Sequence, residues 1–202
     1  YYNQTHFWRQ SLGYCLKKDG SVCHVVKAGQ RCVAAASNDT AAAAVALDAT
    51  LHLVGPGGMR DVKASEFYVA DGRKNLALIP SEMLVGVSIP FLSGRRSVYE
   101  KLRRRQSIDF PLLSVAARLD VGGSTIAALE VVVSSLAAKP RRIASVAKIA
   151  NGRSTSDRLV EIIALAAQKE CHPLSNIEGD VLWRKQMVTV FVRRALGRLG
   201  LT

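Results

Sequence analysis

Apolar positions change their spacing several times along the chain, and each change marks an element. Residues 1–12 are aromatic and read as helix, whereas 13–32 are rich in Lys, Gly and Cys and read as loop. "SNDTAAAAVALDA" (37–49) reads as an Ala-rich helix with Asn38 or Asp39 as N-cap. "TLHLV", "GPGG" and "MRDV" follow as strand, turn and strand. "SEFYVADGRKNLALIPSEM" is mixed loop, and "LVGVSIP" (84–90) is a strand closed by Pro90.

Alternation then dominates. In 97–110, Val98, Glu100 and Leu102 fall on one side of a strand, with Tyr99, Lys101 and Arg103 on the other. Residues 110–120 and 124–137 form two further strands, and the "VGG" between them predicts an antiparallel turn. Beyond Pro140 the period becomes helical. Ser156 caps a helix with Leu159, Ile162, Ile163 and Ala166 on one face. A last helix over 180–199 places Trp183, Met187, Val190 and Phe191 inward, and Arg184, Lys185, Arg193, Arg194 and Arg198 outward. Strands followed by helices predict an α+β fold, with a three-stranded antiparallel sheet packed by helices in the second half.

Composition narrows the class. The chain has 202 residues and is 49% hydrophobic, enough for a substantial core. No apolar run reaches the roughly 18 residues of a membrane span. The first ten residues lack the apolar region of a signal peptide, and there is no initiator Met. The chain therefore reads as the C-terminal part of something longer. With 28 basic and 16 acidic residues the net charge is +12, which favours anionic partners. The charges are dispersed and no nucleic-acid-binding motif accompanies them, so nucleic acid is not the expected partner.

Three of the four cysteines, Cys15, Cys23 and Cys32, fall in "YCLKKDGSVCHVVKAGQRC" (14–32). Disulfides suit small secreted domains, and no secretory signal is present. Zinc would use His24 as a fourth ligand but normally takes a tighter Cys knuckle. An iron–sulfur cluster needs four thiolates, and its negative charge would be offset by Lys17, Lys18, Lys27 and Arg31. Chance spacing is the fourth reading. Cys171 lies far along the chain, as a small residue at a helix end or as a distant ligand.

The run "YYNQTHFWRQSLGYCLKKDGSVCHVVKAGQRCVAAASNDTAAAAVAL" resembles the β subunit of 4-hydroxybenzoyl-CoA reductase. That is the flavoprotein subunit type of a molybdenum enzyme in the xanthine dehydrogenase family. The resemblance implies that residues 1–92 are the rear half of a PCMH-type FAD-binding domain, with an iron–sulfur loop at 13–32. It implies a CO dehydrogenase flavoprotein C-terminal-like domain over 93–202. Cys15, Cys23 and Cys32 would then hold a 4Fe-4S cluster, with the fourth Cys just upstream of Tyr1. The implied role is electron transfer among FAD, that cluster, the 2Fe-2S clusters of a small subunit and the molybdopterin of a large subunit. The complex would be a cytoplasmic hetero-oligomer in aromatic-compound degradation, removing a phenolic hydroxyl reductively. An ordinary FAD subunit of another molybdenum hydroxylase, acting on an aromatic or heterocyclic substrate, is the alternative. A basic, zinc-bearing interaction module is a third.

The resemblance also assigns flavin contacts. "SNDTAAAAVAL" places Asp39 at the flavin, although a helix cap alone also explains it. "SEMLVGVSIP" puts Leu84 against the isoalloxazine, with a core Leu as the simpler reading. "YEKLRRRQSIDFP" brings Lys101 to the ring, where a cation favours the anionic reduced form; a solvated Lys is the simpler reading. Glu178, Gly179, Asp180, Trp183 and Arg184 are assigned to packing and subunit contact. No residue is expected to act as acid or base on the substrate, and His6, His24, His52 and His172 form no visible constellation with a nucleophile. The family's Gly-rich pyrophosphate loop is not found, and "GPGG" (55–58) reads as a hairpin turn, so this chain alone is expected to bind FAD weakly or not at all.

Overall fold

A computed structural model describes residues 6–106, 108–177 and 179–201. The aromatic start at 1–5 and Glu178 lie outside the described residues. A short helix α1 (His6–Ser11) leads into the Cys-bearing loop. Helix α2 (Asp39–Ala46) follows, capped by Asn38, whose side chain accepts from the Thr40 N–H at 2.9 Å. Asn38 is therefore the cap, and Asp39 is the first helical residue.

Strands β1 (Thr50–Gly55) and β2 (Gly58–Lys63) form the expected hairpin around Pro56–Gly57. Gly58 there has φ +98°, a conformation that suits only glycine. After α3 (Ala64–Phe67), strand β3 (Met83–Ser88) pairs antiparallel with the other side of β1. This first sheet has the order β2-β1-β3.

The second sheet is built from β4 (Arg96–Leu102), β5 (Leu113–Gly122), β6 (Thr125–Ser134) and β7 (Arg141–Arg142), in that order and antiparallel throughout. It has four strands because the two-residue β7 adds to the expected three. Helices α4 (Ala144–Ala150), α5 (Asp157–Glu170) and α6 (Val181–Arg198) cover one face. Leu113, Val115, Ala117 and Leu119 of β5 face that core, with Ile163, Val192 and Leu196 among the helical partners. The opposite face carries Ala116 and Val132, which pack against Ala42, Val45 and Ala46 of α2. Burial on both sides explains why β5 reads as a nearly continuous apolar run.

Ser156 caps α5 by accepting from the Leu159 N–H at 3.2 Å. The buried stripe of α5 is Leu159, Val160, Ile163, Ala164 and Ala167; Ile162, expected inward, is 39% exposed. Helix α6 departs further from expectation. Arg184, expected outward, is 0% exposed, whereas Trp183, expected inward, is 38% exposed. The Arg184 guanidinium donates to the carbonyls of Leu112 (3.2 Å), Leu174 (2.9 Å) and Ser135 (2.8 Å). These chain segments end in loops whose carbonyls need donors, and a planar fork of N–H groups reaches all three.

Candidate functional site

Alternation along β4 splits its side chains between the two faces of the second sheet. Val98 and Leu102 pack against the helical core, and Glu100 receives Arg198 of α6 at 2.6 Å. Tyr99 and Lys101 turn to the α2 side. There Lys101 Nζ donates to Asp39 Oδ2 at 2.7 Å, and the Tyr99 hydroxyl lies 3.3 Å from Asp39 Oδ1. Two residues that the sequence nominated separately thus meet, although 62 positions separate them.

The Lys101 side chain is only 13% exposed while Asp39 is 49% exposed, so the pair sits at an edge with its cation shielded. Burial, then the Asp39 carboxylate, pushes the Tyr99 phenol up to about 12. It remains a neutral O–H donor throughout the physiological range. A shielded ammonium, with N–H groups beyond the one given to Asp39, is a donor suited to the ring of a flavin, whose reduced form carries negative charge. Leu84 stands on β3 opposite Leu53 and is 43% exposed, an apolar surface on an edge strand of this sheet.

The cysteines behave differently. Cys15 and Cys23 are partly buried and Cys32 is 5% exposed. The Val26 N–H points to Cys23 Sγ and the Ala34 N–H to Cys32 Sγ, each at 3.4 Å. Cys32 is also tied to the 71–72 turn: its N–H reaches Asp71 Oδ1 at 3.3 Å, and its carbonyl accepts from Gly72 N at 2.8 Å. Lys17 Nζ donates to the Gly72 carbonyl. Yet no group of three or more His, Cys, Asp or Glu residues among the described residues is gathered to hold a metal. His24 Nε2 engages the Tyr14 carbonyl instead. The three thiols therefore share one loop without forming a ready metal site, and the described geometry does not fit a preformed cluster. Cys171 is 2% exposed in the helical core, where burial pushes its thiol up to about 12. It is a packing residue.

One constellation escaped the sequence reading. On the outer face of the first sheet, His52 Nδ1 lies 2.7 Å from Asp61 Oδ1 and His52 Nε2 lies 2.6 Å from Ser88 Oγ. Strand register alone brings them together, because β1 lies between β2 and β3. Gly55–Gly58 is a hairpin turn, as expected.

Comparison with known proteins extends these observations. Residues 97–199 match the family described as CO dehydrogenase flavoprotein C-terminal domain. Residues 20–92 match the FAD binding domain in molybdopterin dehydrogenase. The chain is 30% identical over 159 residues to a glyceraldehyde dehydrogenase medium chain of Sulfolobus acidocaldarius, covering 79% of this chain and 56% of that protein. It is 36% identical over 123 residues to an aldehyde oxidoreductase FAD-binding subunit of Escherichia coli, covering 59% and 37%. Among solved structures, a carbon monoxide dehydrogenase of Hydrogenophaga pseudoflava superposes with a TM-score of 0.73 at 27% identity, covering 80% of this chain and 55% of that one. The chain thus spans about half the length of the relatives it matches.

Proposed function

This chain belongs to the FAD-binding subunits of the CO dehydrogenase and molybdenum hydroxylase family, and we propose that the whole subunit transfers electrons between a flavin and metal centres on partner subunits. One observation carries the reading: Lys101 and Tyr99 of β4 converge on Asp39 at the start of α2, where the halves of the chain meet.

FAD supplies two-electron chemistry at its ring and can pass electrons on singly. The chain's own residues set the conditions for that exchange. Asp39 fixes the Lys101 ammonium in place, and limited solvent around Lys101 keeps its field from being screened. With Asp39 offsetting only part of its charge, the ammonium would favour negative charge on a flavin ring bound beside it. Tyr99, held neutral, directs its one O–H to Asp39 and helps hold that carboxylate in place. Leu84 gives an apolar contact on which a ring can rest.

Within this reading we assign residues 1–92 to the FAD-binding domain and 93–202 to the C-terminal domain. The enzyme is proposed to be a cytoplasmic hetero-oligomer with a molybdopterin-binding large subunit and a 2Fe-2S small subunit. A narrower reading within this family is 4-hydroxybenzoyl-CoA reductase, in which a 4Fe-4S cluster would be held by Cys15, Cys23, Cys32 and a fourth thiolate. Support comes from their shared loop, the N–H groups directed at two of the sulfurs, and the nearby lysines. The failure of the thiols to converge favours the second reading, an FAD subunit of another molybdenum hydroxylase acting on an aromatic or heterocyclic substrate.

Anaerobic purification of the full-length subunit, with flavin, iron and acid-labile sulfide assayed together, tests both. Stoichiometric FAD is expected; its absence overturns the proposal. Iron with sulfide selects the reductase, and flavin without iron selects the other hydroxylase.

A further inference from the structure

We infer that His52, Asp61 and Ser88 form a proton relay that makes Ser88 a nucleophile toward activated carboxylic esters. The distances are those of working hydrogen bonds, 2.7 Å from His52 Nδ1 to Asp61 Oδ1 and 2.6 Å from His52 Nε2 to Ser88 Oγ. A carboxylate on Nδ1 selects the tautomer with its proton there, because the carboxylate can only accept. Nε2 is then left with a lone pair facing the Ser88 hydroxyl. This is the order of contacts that activates a serine.

The surroundings are consistent with that use. Gly86 is the cross-strand neighbour of His52, and a Cβ placed there would come within 3.3 Å of His52 Cδ2. Glycine at 86 thus leaves room for the imidazole on that face. The register of β1 and β3 shifts beside His52, between His52 and Leu53, and such irregularities re-aim side chains. Thr50 pairs with both Ser88 and Lys63, and Lys63 Nζ donates to Thr50 Oγ1 at 2.9 Å. Thr50 therefore stands between Ser88 and Lys63 in the sheet. Ser88 is exposed and the His52 side chain is 27% exposed, so a substrate can reach them.

The reaction consumes only the ester and one water. Ser88 Oγ forms a bond to the ester carbonyl carbon as its proton passes to His52 Nε2. The C–O bond to the alcohol then breaks, and His52 returns the proton to the departing oxygen. Water repeats the sequence on the acyl-serine and releases the acid. Ser88 and His52 are the catalytic residues; Asp61 is a positioning residue.

A fluorophosphonate reports the first step directly, since attack by Ser88 forms an O–P bond and expels fluoride. The full-length subunit is treated with the probe, adducts are located by peptide mass analysis, and p-nitrophenyl acetate hydrolysis is followed in parallel. The adduct is expected on Ser88 and lost in Ser88→Ala. His52→Ala slows labelling by about a hundredfold or more, and added imidazole restores part of the rate. Asp61→Asn slows it comparably, while Asp61→Glu retains most of it, a difference that a merely structural strand contact would not produce. Circular dichroism of each variant identifies any that unfold, and Ser88→Thr serves as a second, milder test. No adduct on Ser88, or equal labelling in folded His52→Ala, overturns the inference. Flavin content measured in the same samples keeps this outcome separate from the flavin proposal.

Discussion

Arg142 Nη2 donates to Asp48 Oδ1 at 2.8 Å, tying β7 of the second sheet to the turn that follows α2. The other oxygen of Asp48 accepts from Arg118 of β5, a residue only 5% exposed. Arg118 in turn lies 3.5 Å from Asp120, which is held by Arg95 at 2.7 Å. This run of charges joins the two halves of the chain on the α2 side of the larger sheet.

Acid should weaken that junction. Burial works against ionised Asp48, but hydrogen bonds from Arg142 and Arg118 hold its carboxyl below the ordinary range. A depressed carboxyl contributes stability that is full above the unfolded value near pH 4 and is lost as pH falls through the folded value. Thermal midpoints should be level from pH 8 to about pH 5 and drop below about pH 4. Asp48→Ala should cost about 1–2 kcal/mol at neutral pH, kept small by the partial exposure of Asp48, and should flatten the acid slope. Calorimetry across pH checks both.

Arg184→Met should destabilise by about 3 kcal/mol or more, because one buried and two part-buried carbonyls lose their donor. Arg184→Lys should recover little, since one ammonium cannot reproduce the fork. Urea denaturation measures each variant, and a loss below about 1 kcal/mol would show that water replaces the guanidinium.

Gly72→Ala would place a Cβ 2.8 Å from Cys32 Sγ and 2.9 Å from Ala34 Cβ. The Cys32 loop has to move, at a cost of about 1–3 kcal/mol. Titration with a thiol reagent should find Cys32 more reactive in the variant than in the parent, where it is 5% exposed.

Cys23→Ser separates the two proposed enzymes. If the cysteine loop holds iron, the variant should lose most of its iron and sulfide while FAD stays within about 20% of the parent, because the flavin contacts lie on other elements. Unchanged iron would return Cys23 to a scaffold role in the loop.

The hairpins at 50–63 and 113–134 were legible because alternation and turn residues coincide there. The Ser156 cap and the two-sided character of β4 were legible for similar local reasons. Arg184 was not, since its partners are carbonyls from three distant segments and a charged side chain ordinarily faces water. The third member of each polar group was also hidden. Tyr99 joins Asp39 and Lys101 only once β4 lies beside α2, and His52 finds Asp61 and Ser88 only through strand register, which hydrophobic pattern does not specify on an exposed face.

In the proposed holoprotein the Lys101 ammonium, held by Asp39, would sit beside the bound flavin. Potentiometric titration of the flavin in the full-length subunit and in Lys101→Ala tests it most directly. The two-electron potential should fall in the variant by about 30 mV or more, equivalent to ~1.4 kcal/mol. A potential unchanged within error, in a variant that retains its FAD, would contradict the account.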